Sequence, residues 1–104
     1  MAAGTRETTR QSLLEKIADY AHRPLMAEYL PLLKKRLRRL DQFIYAHPES
    51  SIRFIGDVIA MDEALLARIR AGHSSIVRTE AIEASLAKWR ARLADLEAMA
   101  AKAA

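Results

Sequence analysis

The densest chemistry in this chain is a run of cations, Lys34-Lys35-Arg36-Leu37-Arg38-Arg39. Such side chains neutralise phosphates and release the counterions condensed on a polyanion, so the run is suited to a nucleic-acid backbone. It equally suits a solvated helix face with Leu33, Leu37 and Leu40 buried behind it. Other reactive groups are scattered. His22, His47 and His73 have no acidic or histidine neighbour at metal-ligand spacing. Asp57, Asp62 and Glu63 fall on different helix faces or at a cap, and Ser74-Ser75 has neither a nearby base nor a strained nucleophile turn. There is no Gly-rich phosphate loop and no paired-carboxylate motif. Without cysteine, disulfides, thiolate zinc sites and cysteine nucleophiles are excluded. The expectation is a chain with no catalytic residues, no metal and no cofactor.

The elements that must position the cations are helical. Half of the 104 residues are apolar, chiefly Ala, Leu and Ile, and only six are aromatic. Such a composition favours helices over strands. The length suits one domain and is too short for two independent cores. No apolar run approaches a membrane span, and Met1 to Arg10 lacks the apolar stretch of a signal peptide. A cytoplasmic protein is expected, nucleoid-associated if it binds DNA, and the Arg- and Ala-heavy composition suits a bacterial source. The net charge of +4, with twelve arginines to five lysines, inclines the chain toward a polyanionic partner.

Periodicity divides the chain further. Residues 1–7 read as a disordered start, and 8–104 as a single helical domain. An accessory N-terminal helix is expected over 8–23, on the spacing of Leu13, Leu14, Ile17 and Ala21. Pro24 ends it or opens the next element. Leu25 to Ala46 carries another apolar stripe, with Pro31 marking either a kink or the start of the main helix. His47-Pro48-Glu49-Ser50-Ser51 reads as a turn with a serine N-cap. Then come two short helices, about Ile52 to Ala60 and Asp62 to Arg70, joined tightly at Met61 and stopped by Gly72. The last helix opens at Thr79. In it Ile82, Leu86, Trp89, Leu93 and Leu96 draw an a/d seam suited to a homodimer contact. The fold expected is all-α, four to five helices, with a central helix-turn-helix core over 24–78 and a long C-terminal helix over 79–104.

The motif rests on residues 55–72. Gly56 and Ala60 are small where two helices would touch, Asp62 would cap the second helix, and Ile55, Ile59, Met61, Leu66 and Ile69 would face the core. On these residues the chain resembles the lambda-repressor-like (Cro-repressor or xenobiotic-response-element) helix-turn-helix family, whose pattern overlays 55–72 without a gap. Ile55 stands for the family's leucine, Gly56 for its small alanine, Met61 for the turn valine and Asp62 for the capping serine. Leu66, Ile69 and Gly72 match the later positions. Ile59, Ala60 and Ile52 depart from the pattern, which usually has alanine, glycine and glutamine there. The likeness covers roughly residues 31–90.

The resemblance implies a second helix lying in a major groove. Glu63, Ala64, Leu65, Ala67 and Arg68 match base-facing positions, and the planar fork of Arg68 can take guanine O6 and N7 together. Ser51, Arg53, His73, Ser74, Ser75 and Arg78 lie where backbone phosphates would be met, and Lys34, Lys35, Arg38 and Arg39 form a further basic patch. The implied partner is double-stranded DNA, read by a homodimer acting as a small transcriptional regulator, with no membrane and no small-molecule ligand. Two alternatives stand beside it. One is an architectural binder with little sequence preference, and the other is a helical adaptor that binds protein.

Overall fold

The computed structural model of the chain describes residues 2–103, all side chains but that of Ala103 included. Among them the secondary structure is entirely helical. Four α-helices are present: α1 (Ala3–Tyr20), α2 (Leu30–Ala46), α3 (Pro48–Arg70) and α4 (Thr79–Ala103), with a 3-10 segment at Pro24–Tyr29 between α1 and α2. The all-α expectation holds. Instead of the single domain expected from residue 8, the helices group as two compact units dividing between His47 and Pro48. The division falls inside the stretch expected to form one helix-turn-helix core.

In the first unit α1 packs on α2, with the 3-10 segment against both. Residues 3–7, expected to be disordered, form the opening turns of α1, and Glu7 is almost fully buried. Arg10 donates from Nε to Asp41 Oδ1 at 2.7 Å, a half-buried pair that ties α1 to α2. Leu13 and Leu33 supply buried apolar area. Proline sets the joints. Pro24 occupies the first turn of the 3-10 segment and Pro31 that of α2, where a missing N–H costs nothing. His47 takes φ −136° and ψ 65°, out of the α region as a residue before proline must be. Pro48 then opens α3 at once, four residues earlier than the serine-capped start expected at Ile52.

The second unit is an antiparallel hairpin of α3 and α4. Leu66, Ile82 and Leu86 form its buried cluster, with Ile59, Leu65 and Ile69 half-buried around it. Phe54 meets Trp89 edge to face, with ring centroids 6.0 Å apart. The seam of Ile82, Leu86, Trp89 and Leu96 is buried within the single chain and Leu93 half-buried, so the residues expected to pair two copies are used inside one. Gly72 stops α3 as expected. Its φ of +99° suits only glycine, its N–H donates to the Ile69 carbonyl at 3.0 Å, and His73 N–H donates to that of Arg68 at 3.1 Å. This is a Schellman cap.

The largest difference lies in the middle of α3. The bend expected at Ala60–Met61–Asp62 is absent, and Pro48–Arg70 runs as one helix of 23 residues. The local reason is plain. A turn there needs a left-handed residue, and no non-glycine residue among those described has positive φ. Ala60, Met61, Glu63, Ala64 and Leu65 all favour helix, and Asp62 is occupied sideways by α4 instead of capping anything. Met61, expected in the core, is 71% exposed.

Gly56 lies in the interior of this continuous helix. In the continuous helix a Cβ built there meets nothing within 4 Å. Gly56→Ala is therefore expected to raise stability by about 0.5–1 kcal/mol in urea unfolding, the usual gain for a helix interior. A clear loss would mean that Gly56 is not an open position in the helix interior.

Candidate nucleic-acid interface

The residues matched to base-facing positions all lie on α3, but they do not share a free surface. Glu63 accepts from Arg90 Nη2 of α4 through Oε1 at 2.7 Å, and Leu65 is half-buried against the Leu66–Ile82–Leu86 cluster. One residue before Glu63, Asp62 Oδ2 accepts from Ser85 Oγ of α4 at 2.9 Å. Two turns further on, Arg70 approaches Glu83 at 3.5 Å. These contacts flank the seam, Asp62–Ser85 on one side and the two ion pairs on the other, and fix the register of α4 on α3. The pairs of Arg90 with Glu63 and Arg70 with Glu83 are more than half exposed, so each adds little stability. Ala64, Ala67 and Arg68 remain exposed, and the continuous helix has no free N-terminus at Asp62 to enter a groove.

The expected backbone contacts separate similarly. Ser51 is fully buried and its hydroxyl finds no hydrogen-bond partner, so it offers nothing to a phosphate. Arg53 is exposed on α3. His73, Ser74, Ser75 and Arg78 are exposed on the loop between α3 and α4, as expected, although Ser75 Oγ accepts from Val77 N–H at 3.1 Å. The loop also exposes Ile76 completely and Val77 partly.

The basic run on α2 has a different character. Leu33 is buried, and Leu30, Leu37 and Leu40 are half-buried, so one stripe of the helix is covered. At 100° per residue, Lys34, Arg38, Lys35, Arg39 and Arg36 fan across roughly 200° on the opposite side. All five are exposed, and among the described residues none of them is in an ion pair. The helix's one acid, Asp41, is taken by Arg10.

This charge works against the helix that carries it. Lys34 with Arg38 and Lys35 with Arg39 are like charges at i,i+4, and Lys35 with Arg38 and Arg36 with Arg39 are like charges at i,i+3. Each such pair costs about 0.2–0.5 kcal/mol. The last turn of α2 contains no basic residue, so the helix dipole does not offset the repulsion. An ordinary solvated face mixes signs, whereas this one keeps five cations of one sign. Sequence reasoning found the run and weighted it below the motif on α3; the geometry reverses that order.

Comparison of the chain with family models, with curated proteins and with solved structures finds no match. Among the described residues no helix is long and apolar enough to cross a membrane.

Relief of the repulsion is measurable without any ligand. Arg38→Glu converts two repulsive pairs into attractive ones and is expected to stabilise the protein by about 0.5–1 kcal/mol in thermal unfolding at low salt. The gain should shrink by about half a molar salt, where surface charges are screened. A variant no more stable than wild type at low salt would mean that the five cations do not oppose one another.

Proposed function

We propose that this chain binds double-stranded DNA through the phosphate backbone, with the outer face of α2 as the contact surface and little preference for sequence. The observation that carries this reading is the fan of Lys34, Lys35, Arg36, Arg38 and Arg39, exposed, unpaired and free of acids. Phosphates would relieve repulsion that the free helix bears, and counterion release would supply affinity without any base being read.

The rival reading, a sequence-specific regulator, rests on α3. Of its five base-facing positions only Glu63 and Arg68 are both exposed and able to discriminate bases, and Glu63 is held by Arg90 and would bring a carboxylate toward phosphates. A homodimer is no part of the proposal, because the seam on α4 is already buried within one chain. The exposed Ile76 and Val77 favour a protein contact as a second reading.

Duplex binding followed by fluorescence anisotropy at several salt concentrations tests the proposal. Lys34, Lys35, Arg38 and Arg39 span roughly 140° of helix. Three or four of them on one duplex give a slope of log affinity against log salt of about −2.7 to −3.6. Lys35→Ala and Arg39→Ala should each reduce that slope by about 1, while Arg68→Ala leaves affinity unchanged. Selection from a random duplex library at about 150 mM salt should return no consensus. A palindromic consensus lost with Arg68→Ala would overturn the proposal in favour of the regulator. No duplex binding even at low salt would turn the search to protein partners.

A further inference from the structure

The first unit contains a second feature that the backbone contact does not use. Between α1, the 3-10 segment and α2 lies a cleft of about 510 Å³ with four cations on its walls, Lys16, Lys35, Arg36 and Arg39, and no acid. Its apolar part includes Met26, Leu32 and the rings of Tyr20 and Tyr29. The two rings are tilted by 59° with centroids 6.5 Å apart. Tyr29 is 44% exposed and Leu32 60%, so the cleft presents apolar surface to water. Further along the same pair of helices a second cleft of about 470 Å³ again contains Arg36 and Arg39, now with Arg6 and Phe43, and again no acid. Phe43 is half exposed, with the Arg6 guanidinium 5.0 Å from its ring centroid.

Two clefts with aromatic side chains therefore flank one pair of arginines. Planar rings offer stacking faces, and the arginines between them offer planar forks to phosphate. Tyr29 and Phe43 are fourteen residues apart, about 21 Å along helical backbone, a distance that three or more extended nucleotide steps span. An aliphatic anion would use the apolar walls but would match neither the rings nor four cations around one cleft.

We infer that this groove takes nucleotides of a single-stranded nucleic acid, with a base against Tyr20 and Tyr29 and the adjoining phosphate on Arg36 and Arg39. The inference rests on the backbone-binding reading, since it shares the α2 cations, and it adds preference for an unpaired strand. Stacking on tyrosine is tolerant of sequence, so this preference needs no base code.

The test uses the full chain and two labelled probes of equal length, an oligothymidylate and a duplex, in anisotropy titrations at about 150 mM salt. Tyr29→Leu keeps apolar bulk and removes the ring. It is expected to weaken strand binding about tenfold and duplex binding less than twofold, while Tyr29→Phe retains wild-type affinity for both. Tyr20→Leu serves as a second variant should Tyr29→Leu lose its helical circular dichroism. Displacement of the strand by millimolar thymidine monophosphate would identify a free nucleotide as a sufficient ligand, and failure to displace it would assign the groove to the strand. If wild type binds the duplex but not the strand, or if both tyrosine variants bind the strand as wild type does, the inference is overturned and the duplex reading stands. If wild type binds neither probe, both fall.

Discussion

A unit built on two long helices has a seam rather than an interior, and this constraint shapes everything else in the protein. Each helix can give one stripe to its neighbour, and most of the remaining surface stays exposed. In the second unit that seam consumes Ile82, Leu86, Trp89 and Leu96. The residues flanking it then become edge contacts: Asp62 with Ser85, Glu63 with Arg90 and Arg70 with Glu83. A helix broken at Met61 would have to abandon these contacts. Burial along the full length of α3 favours its continuity, more than any local propensity does.

The elements themselves were largely legible in the sequence, because apolar periodicity, proline placement and the Gly72 cap are local signals. Thr79 as the start of α4 and Pro31 in the first turn of α2 follow from those rules. The residues of the bend expected in α3 serve two geometries equally well. An aspartate after a small residue can cap a new helix, or it can accept a hydrogen bond from a neighbouring one. Only the position of Ser85, 23 residues away, separates the two, and no local pattern contains it. The seam on α4 was ambiguous for the same reason. A heptad stripe records that something covers it, not whether the cover is α3 or a second copy. Ser51 was placed at a helix entrance by its type, and the proline two residues beyond the end of α2 had already taken that entrance.

The candidate site was legible only in part. The cations on α2 could be read directly, but their freedom from partners could not, since one acid at the right distance would have reduced the run to an ordinary solvated face. The aromatic clefts were hidden for a different reason. Tyr20, Tyr29 and Phe43 come from three elements, and nothing in their spacing along the chain brings them beside Arg36 and Arg39.

The cost of the basic face is what gives it functional weight. Stability is a small difference between large terms, so four like-charge pairs costing a few tenths of a kcal/mol each, about 1–2 kcal/mol together, are a measurable part of it. A glutamate at any of several positions on α2 would pair with a lysine or arginine one turn away, and the helix contains none. Asp41 shows that the helix accepts an acid where a partner on α1 calls for one. What distinguishes the outer face is that, among the described residues, none of its five cations is in an ion pair. The polyanion proposed here would neutralise them with no change of conformation, because the helix is held by its buried stripe and the cations already stand on its outer side. The same rigidity keeps Arg36 and Arg39 both on the exposed arc of α2 and on the walls of the two clefts beside it. They stand where the exposed arc of α2 turns toward α1, so a phosphate held there lies within reach of either surface.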